Sequence, residues 1–146
     1  MELNNIQIKH QLENDEYSKK HFLGVFPRDR LPEINKFPSS LVFNTDPSTL
    51  PGAHWIAMYI DEYQKCTFFD SFGFKPDFFG LESYLNRISS NVEYNSKRLQ
   101  GSNSSTCGHY CIFFILLKSR NFSLETILDM FSKSNFKLND FLIRNV

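Results

Sequence analysis

Two aromatic-rich segments, residues 54–60 and 65–70, flank the polar stretch Asp61-Glu62-Tyr63-Gln64. This pattern constrains the fold more than any other part of the chain. Short runs of this composition bounded by turn residues read as strands, and so short a connection joins them as an antiparallel hairpin. If Ile60 pairs with Gln64, then Met58 faces Cys66, Ile56 faces Phe68 and His54 faces Asp70 on one side of the sheet. Directly opposed residues have Cβ atoms about 4.5–5.5 Å apart, within hydrogen-bonding reach for an imidazole and a carboxylate. A slip of one residue would send the two to opposite faces, so the inference hangs on register.

Around this hairpin the pattern is mixed. Residues 1–20 predict a peripheral helix. Phe22 to Phe26 begins a better-packed stretch closed by Pro27 and Pro32, and Leu41 to Asn44 predicts a short buried strand. Asp46-Pro47-Ser48 and Pro51-Gly52 mark a loop. Pro76-Asp77 opens a helix, with Phe78, Leu81, Leu85 and Ile88 at helical spacing. Val92 to Leu99 can be a strand. Gln100 to Ser105 is a polar loop, after which Ser105 or Thr106 caps a helix from about Cys107 to Lys118. The middle of that helix, Cys111 to Leu117, is apolar all round, which predicts burial. Ser123 begins another helix, and Asn139 caps a last one.

A chain of 146 residues favours one domain across residues 1–146, because this length buries about 68–70% of its unfolded surface without covalent staples. Lys+Arg and Asp+Glu both number 16, so bulk charge predicts no avid nucleic-acid binding, although Lys97-Arg98 and Lys118 with Arg120 offer a local basic patch. The cysteines are Cys66, Cys107 and Cys111. An odd count behind a polar amino terminus argues against a disulfide framework and for a reducing, intracellular setting. The most apolar run, Tyr110 to Leu117, is far short of the roughly 20 residues that span a bilayer, so no membrane association is expected.

In chain order the sequence supplies a base at His54, an acid at Asp70, an amide donor at Gln100 and a thiol at Cys107. Those are the parts of thiol-dependent acyl transfer. A thiolate is the nucleophile, and a helix N-terminus or a nearby imidazolium favours it; Cys107 sits where both act. His54 would carry the proton to the leaving amine and Asp70 would fix its tautomer. The Cys107 N–H and the Gln100 side-chain amide would face the developing oxyanion. Gly108 leaves room for a substrate backbone.

Each residue also has an ordinary reading. A lone histidine at a strand end is more often an edge residue, Asp70 can simply start a turn, and cysteine is commonly an inert core residue. Cys107-x-His109-x-Cys111 suggests zinc. Those positions do not share a helical face and no second ligand pair follows, so no metal is expected. Cys66 and Cys111 read as packing.

The motifs Phe22-Leu23-Gly24, Asn44-Thr45, Gly52-Ala53-His54-Trp55, Phe69-Asp70-Ser71-Phe72-Gly73-Phe74 and Gln100-Gly101-x-Asn103-Ser104-x-x-Cys107-Gly108 together resemble the adenovirus-type cysteine endopeptidases, the adenain family. The resemblance runs over residues 20–118. A related branch, the SUMO-deconjugating proteases, usually has Asp before its Cys-Gly, where this chain has Thr106.

The resemblance implies an α+β, papain-like (adenain-like) fold, a central mixed sheet flanked by helices, with the nucleophile at the N-terminus of a buried helix. It implies His54, Asp70, Cys107 and Gln100 as the catalytic set, with Trp55, Gly108 and Asn103 lining the substrate cleft. The implied work is cleavage of viral precursor polypeptides at small or glycine-containing sites during particle maturation, by a monomer in the virion and host nucleus. The chemistry requires no cofactor. An activating peptide and DNA are implied by the family, but residues 71–106 contain no cysteine to tether a peptide by a disulfide, which leaves a non-covalent one. The alternatives are an isopeptidase for ubiquitin-like or SUMO-like conjugates, using the same four residues, and a catalytically silent binding module on the same fold.

Overall fold

The computed structural model describes residues 2–46 and 54–145. Most of the 46–52 loop expected from sequence lies outside them. The elements are α1 (Asn5–Asn14), β1 (Phe22–Pro27), β2 (Ser39–Asn44), β3 (Trp55–Ile60), β4 (Lys65–Phe69), α2 (Glu82–Ile88), β5 (Asn91–Tyr94), α3 (Cys107–Lys118), α4 (Leu124–Leu128) and α5 (Phe136–Arg144). The five strands form one sheet in sequence order. The outer pairs β1–β2 and β4–β5 are parallel, and the inner pairs are antiparallel. It is therefore the mixed sheet with flanking helices that the resemblance implies.

Strand periodicity divides the interior. Leu41, Phe43, Ile56, Met58, Ile60, Cys66 and Phe68 face a cluster with Leu81, Tyr84, Leu85 and Ile88 of the α2 region. Val42, Ala57, Tyr59 and Phe69 face a second cluster built on α1 and on Tyr110, Cys111, Phe114 and Ile115 of α3. Phe69 stacks on Phe114 with ring centroids 4.7 Å apart. Covered on both faces, β2 is buried along its whole length.

Several boundaries differ from the sequence expectation, each for a local reason. The helix α1 carries a capping box between Asn4 and Gln7, but it is not peripheral, since Ile8 and Leu12 are fully buried in the second cluster. The helix expected from Pro76 is split. Pro76–Phe79 is a short 3-10 turn ended by Gly80 in the left-handed region (φ 69°), and α2 starts only at Glu82. The strand expected to reach Leu99 stops at Tyr94, because the next residues bond to the loop after β4 instead of to a neighbouring strand. Asn139 does not cap α5. Asn135 does, its side chain accepting the Leu138 N–H, while Asn139 is buried inside the helix.

The hairpin register is shifted by two residues. Ile60 pairs with Cys66 and Met58 with Phe68. Asp61 explains the shift. Its N–H donates to the Lys65 carbonyl, its carbonyl accepts the Gln64 N–H, and its carboxylate accepts the Tyr63 and Lys65 N–H groups. Gln64 adopts φ 66°, closing a three-residue loop with a left-handed last position. A shift of two preserves the face, so His54 and Asp70 remain on one side as diagonal neighbours.

The burial of α1 gives a direct test. Leu12→Ala should cost about 2–5 kcal/mol in denaturant unfolding. Ile6→Ala, on a side chain 72% exposed, should change stability by no more than about 0.5 kcal/mol.

Candidate active site

His54 immediately precedes β3 and Asp70 immediately follows β4, so the hairpin delivers both to one end of the sheet. His54 Nε2 lies 2.5 Å from Asp70 Oδ1. Asp70 is fully buried, and its carboxylate also accepts the Phe72 N–H at 3.0 Å and the Phe74 N–H at 3.2 Å. The Asp70 carbonyl accepts the Gly73 N–H at 2.8 Å, and Gly73 supplies the positive φ of 78° for this tight turn. The Phe72 ring lies 4.8 Å from the imidazole.

Cys107 is the first residue of α3 and is 6% exposed. Its thiol lies beside the His54 ring as a hydrogen-bond partner. With Nε2 on Asp70, Nδ1 is the nitrogen left for sulfur. Burial pushes the imidazole pKa down. The hydrogen bonds to Asp70 and Cys107, together with their charges, outweigh it and hold His54 at about 9. An imidazolium that persists to that pH is the counter-ion a thiolate needs. The other cysteines lack this setting. Burial pushes Cys66 up to about 12 and raises Cys111 as well, and all three thiols are free.

Thr106 occupies the cap position of α3, but its side chain makes no capping bond. Its hydroxyl is turned to Ser104 Oγ and to Asp140 Oδ1, which it meets at 3.0 Å. The N–H groups of the first turn are thus not capped by that side chain, and they carry the positive end of the helix dipole beside the thiol. Gln100 is fully buried. Its Oε1 accepts the Ser71 hydroxyl at 2.5 Å and its Nε2 donates to the Ser104 carbonyl at 2.9 Å. The Ser104 carbonyl, which can only accept, fixes which end of the amide is nitrogen, and an amide nitrogen has a second proton to offer.

Three further residues named from sequence fall in distinct places. Trp55 is half-buried beside α3, its indole N–H donating to the Leu3 carbonyl at 3.2 Å. Gly108 is buried. A Cβ there would lie 3.2 Å from Leu3 Cβ and Ile8 Cδ1 and 3.4 Å from Trp55 Cδ1, so the space beside it is taken by α1 and Trp55 rather than left open. Asn103 is exposed on the turn closed by the Ser104 N–H bond to the Gly101 carbonyl. Residues 107, 109 and 111 diverge, with Cys107 toward His54, His109 lining a groove with Leu3 and Phe113, and Cys111 in the core. Of the other histidines, His21 bridges the Ser40 and Ser119 hydroxyls and His10 bonds Asn14. The basic residues proposed as a patch are partly engaged, Arg120 with Asp15 at 2.6 Å and Arg98 over the Phe136 ring.

Sequence reasoning missed Asn95, Ser71 and Asp140. Asn95 is buried and brackets the Asp70 backbone, accepting the Asp70 N–H at 3.1 Å and donating to the Asp70 carbonyl at 2.6 Å. Nothing local marks it, because it falls inside the strand expected over Val92 to Leu99. Ser71 was visible inside the Phe69 to Phe74 motif, but its link to Gln100 is a tertiary contact.

A histidine bonded to a buried carboxylate beside a thiol at a helix N-terminus, on a mixed sheet flanked by helices, has the architecture of the papain-like cysteine-protease folds. The model of the adenovirus endoprotease family matches residues 22–135, and this chain belongs to that family. Its curated relatives include the proteases of Bovine adenovirus 4, 33% identical over 111 residues, and Ovine adenovirus D serotype 7, 31% identical over 111 residues; each alignment covers 64% of this chain and 54% of the relative. The chain thus spans about half the length of the curated relatives it matches. The fold is shared with the ASFV pS273R protease, at TM-score 0.63 and 18% identity over 97% of this chain and 66% of that one. The C-terminal Ulp1 protease domain, solved with yeast Smt3, has TM-score 0.50 and 14% identity over 97% of this chain and 75% of that one. Among the described residues, no helix is long and apolar enough to cross a membrane.

The charge on His54 carries a pH dependence. A pKa raised from 6.5 to about 9 gives stability that is fully present below the ordinary value and is lost as pH rises through about 9. An NMR titration of the His54 ring should centre near pH 9 and move down in Asp70→Asn; a titration that stays put contradicts the assigned cause.

Proposed function

We propose that this chain is a thiol endopeptidase acting on viral precursor polypeptides. The observation that carries the reading is the placement of His54 between the Asp70 carboxylate and the Cys107 thiol at the start of α3. Family membership supports the same activity.

In this mechanism the Cys107 thiolate attacks the scissile carbonyl carbon, and the oxygen becomes an oxyanion held by the Cys107 N–H and the Gln100 amide. As the tetrahedral intermediate collapses, the C–N bond breaks and His54 gives its proton to the leaving amine, which leaves a thioester on Cys107. Neutral His54 then takes a proton from water, the resulting hydroxide attacks the thioester, and the acid product departs as the thiolate–imidazolium pair reforms. Asp70, which accepts from Nε2 throughout, keeps Nδ1 facing sulfur. No step calls for a metal or an organic cofactor.

Small or glycine-containing cleavage sites, processing during particle maturation, and location in the virion and host nucleus follow from the family reading. Trp55 and the exposed Asn103 turn are the surfaces we assign to substrate. Regulation by a peptide, if this family member uses it, is non-covalent, since residues 71–106 offer no cysteine. The resemblance of fold to a protease domain solved in complex with the yeast ortholog of SUMO makes ubiquitin-like conjugates the comparison substrate.

The test is turnover of glycine-containing peptides from viral precursors beside ubiquitin-like and SUMO conjugates. Cys107→Ala should abolish cleavage with the fold intact, and Asp70→Asn should weaken it less. Gln100→Ala should lower kcat by about 10²–10³-fold, the loss typical of one oxyanion donor. Wild-type activity in Cys107→Ala would sink the mechanism, and cleavage of conjugates alone would reassign the substrate.

A further inference from the structure

Three residues on one face of α5 converge on the backbone around Gln100. Asn139 donates to the Leu99 carbonyl at 3.1 Å, just before Gln100. Asp140 Oδ2 accepts the Gly101 N–H at 3.1 Å, just after it. The Phe136 ring lies 4.3 Å from the guanidinium carbon of Arg98, whose Nε donates to the Gln100 carbonyl at 2.7 Å. Positions 136, 139 and 140 have the i, i+3, i+4 spacing that puts side chains on one helical face.

Asp140 does more than hold Gly101. Its other oxygen, Oδ1, accepts the Thr106 hydroxyl at 3.0 Å and the Tyr110 hydroxyl at 2.9 Å. One buried carboxylate therefore ties both ends of the loop 101–106, next to Gln100 at one end and next to Cys107 at the other. That loop is Gly-Ser-Asn-Ser-Ser-Thr, a composition with little stiffness of its own. Gly101 at its start lets the carboxylate approach the backbone, since a Cβ there would fall 2.8 Å from Asp140 Oδ2 and force it to shift. Asn139 is tied in turn, donating to the Ser132 carbonyl and accepting the Ser132 N–H, both at 2.8 Å.

We propose that Asp140, seconded by Asn139, is a positioning residue that sets the Gln100 amide relative to the Cys107 N–H and so completes the oxyanion site. This rests on the peptidase reading above. Oxyanion donors act only when they sit where charge develops, and a misplacement of about 1 Å can cost about 10²-fold in rate. Asp140 bonds neither His54 nor the thiol, and its bonds on the Cys107 side go to Thr106 and Tyr110, so its loss should leave the nucleophile pair in place.

The experiment is a double-mutant cycle between Gln100→Ala and Asp140→Ala, read as kcat and KM on a cleavable peptide, with Cys107 alkylation and thermal unfolding measured alongside. Asp140→Ala should lower kcat by about 10²-fold with KM changed less than about 2-fold. Its Cys107 alkylation rate should match wild type. Asp140→Asn, which keeps an acceptor for Gly101, should recover most of the loss. In the Gln100→Ala background Asp140→Ala should cost no more than about 3-fold further, because the two act as a unit. The same loss in both backgrounds overturns the positioning role, as does a loss carried by KM or by slowed alkylation. Wild-type kcat in Gln100→Ala, or no turnover by the wild-type protein, overturns instead the reading of the site on which the proposal rests. Should Asp140→Ala unfold, Asn139→Ala carries the same cycle.

Discussion

The register between β3 and β4 is the constraint on which the site depends, and Asp61 sets it. The Asp61 carboxylate gathers the Tyr63 and Lys65 N–H groups at the far end of the hairpin, which closes the loop on three residues and pairs Ile60 with Cys66. From there the pleat dictates the rest. His54 and Asp70 emerge on the same side at the opposite end, and any odd slip would separate them. The hairpin interior is buried on both faces, so a slip would also exchange the two hydrophobic clusters.

At that end Asp70 joins three parts of the site. Its carboxylate holds His54 and the two loop N–H groups after it. Its main chain is bracketed by Asn95. The next residue, Ser71, accepts the Leu99 and Gln100 N–H groups at its carbonyl and donates its hydroxyl to the Gln100 amide. Asp70 and Gln100, the proposed acid and oxyanion donor, are thus linked through Ser71. The thiol arrives separately, on a helix whose buried face includes Tyr110, Phe114 and Ile115, and whose first turn is not capped by the Thr106 side chain, which bonds elsewhere.

Features governed by local pattern were legible in the sequence. The β3–β4 hairpin, the α3 span from Cys107 to Lys118 and the helix begun at Ser123 follow from periodicity and local composition. The pairing of His54 with Asp70 survived an incorrect register because the shift was two residues rather than one. Tertiary bonds were not legible. Nothing near Tyr94 announces that Asn95 will end β5 by bonding Asp70. Asn139 has the composition of a cap, and only the packed helix shows it serving Leu99 and Ser132. Gly108 suggested room for substrate, whereas the room is occupied by Leu3, Ile8 and Trp55. Ile8 and Leu12 looked peripheral because a helix with only two buried anchors has a weak apolar stripe.

The central claim is that Cys107 is an activated nucleophile paired with His54, and selective alkylation tests it most directly. Native protein at mildly acidic pH would be treated briefly with iodoacetamide and the three thiols quantified by peptide mass spectrometry, in wild type and His54→Ala. Labelling of Cys107 should outpace that of Cys66 and Cys111 and should slow sharply when His54 is removed. Labelling of Cys107 no faster than the two buried thiols, or unchanged in His54→Ala, would contradict the account.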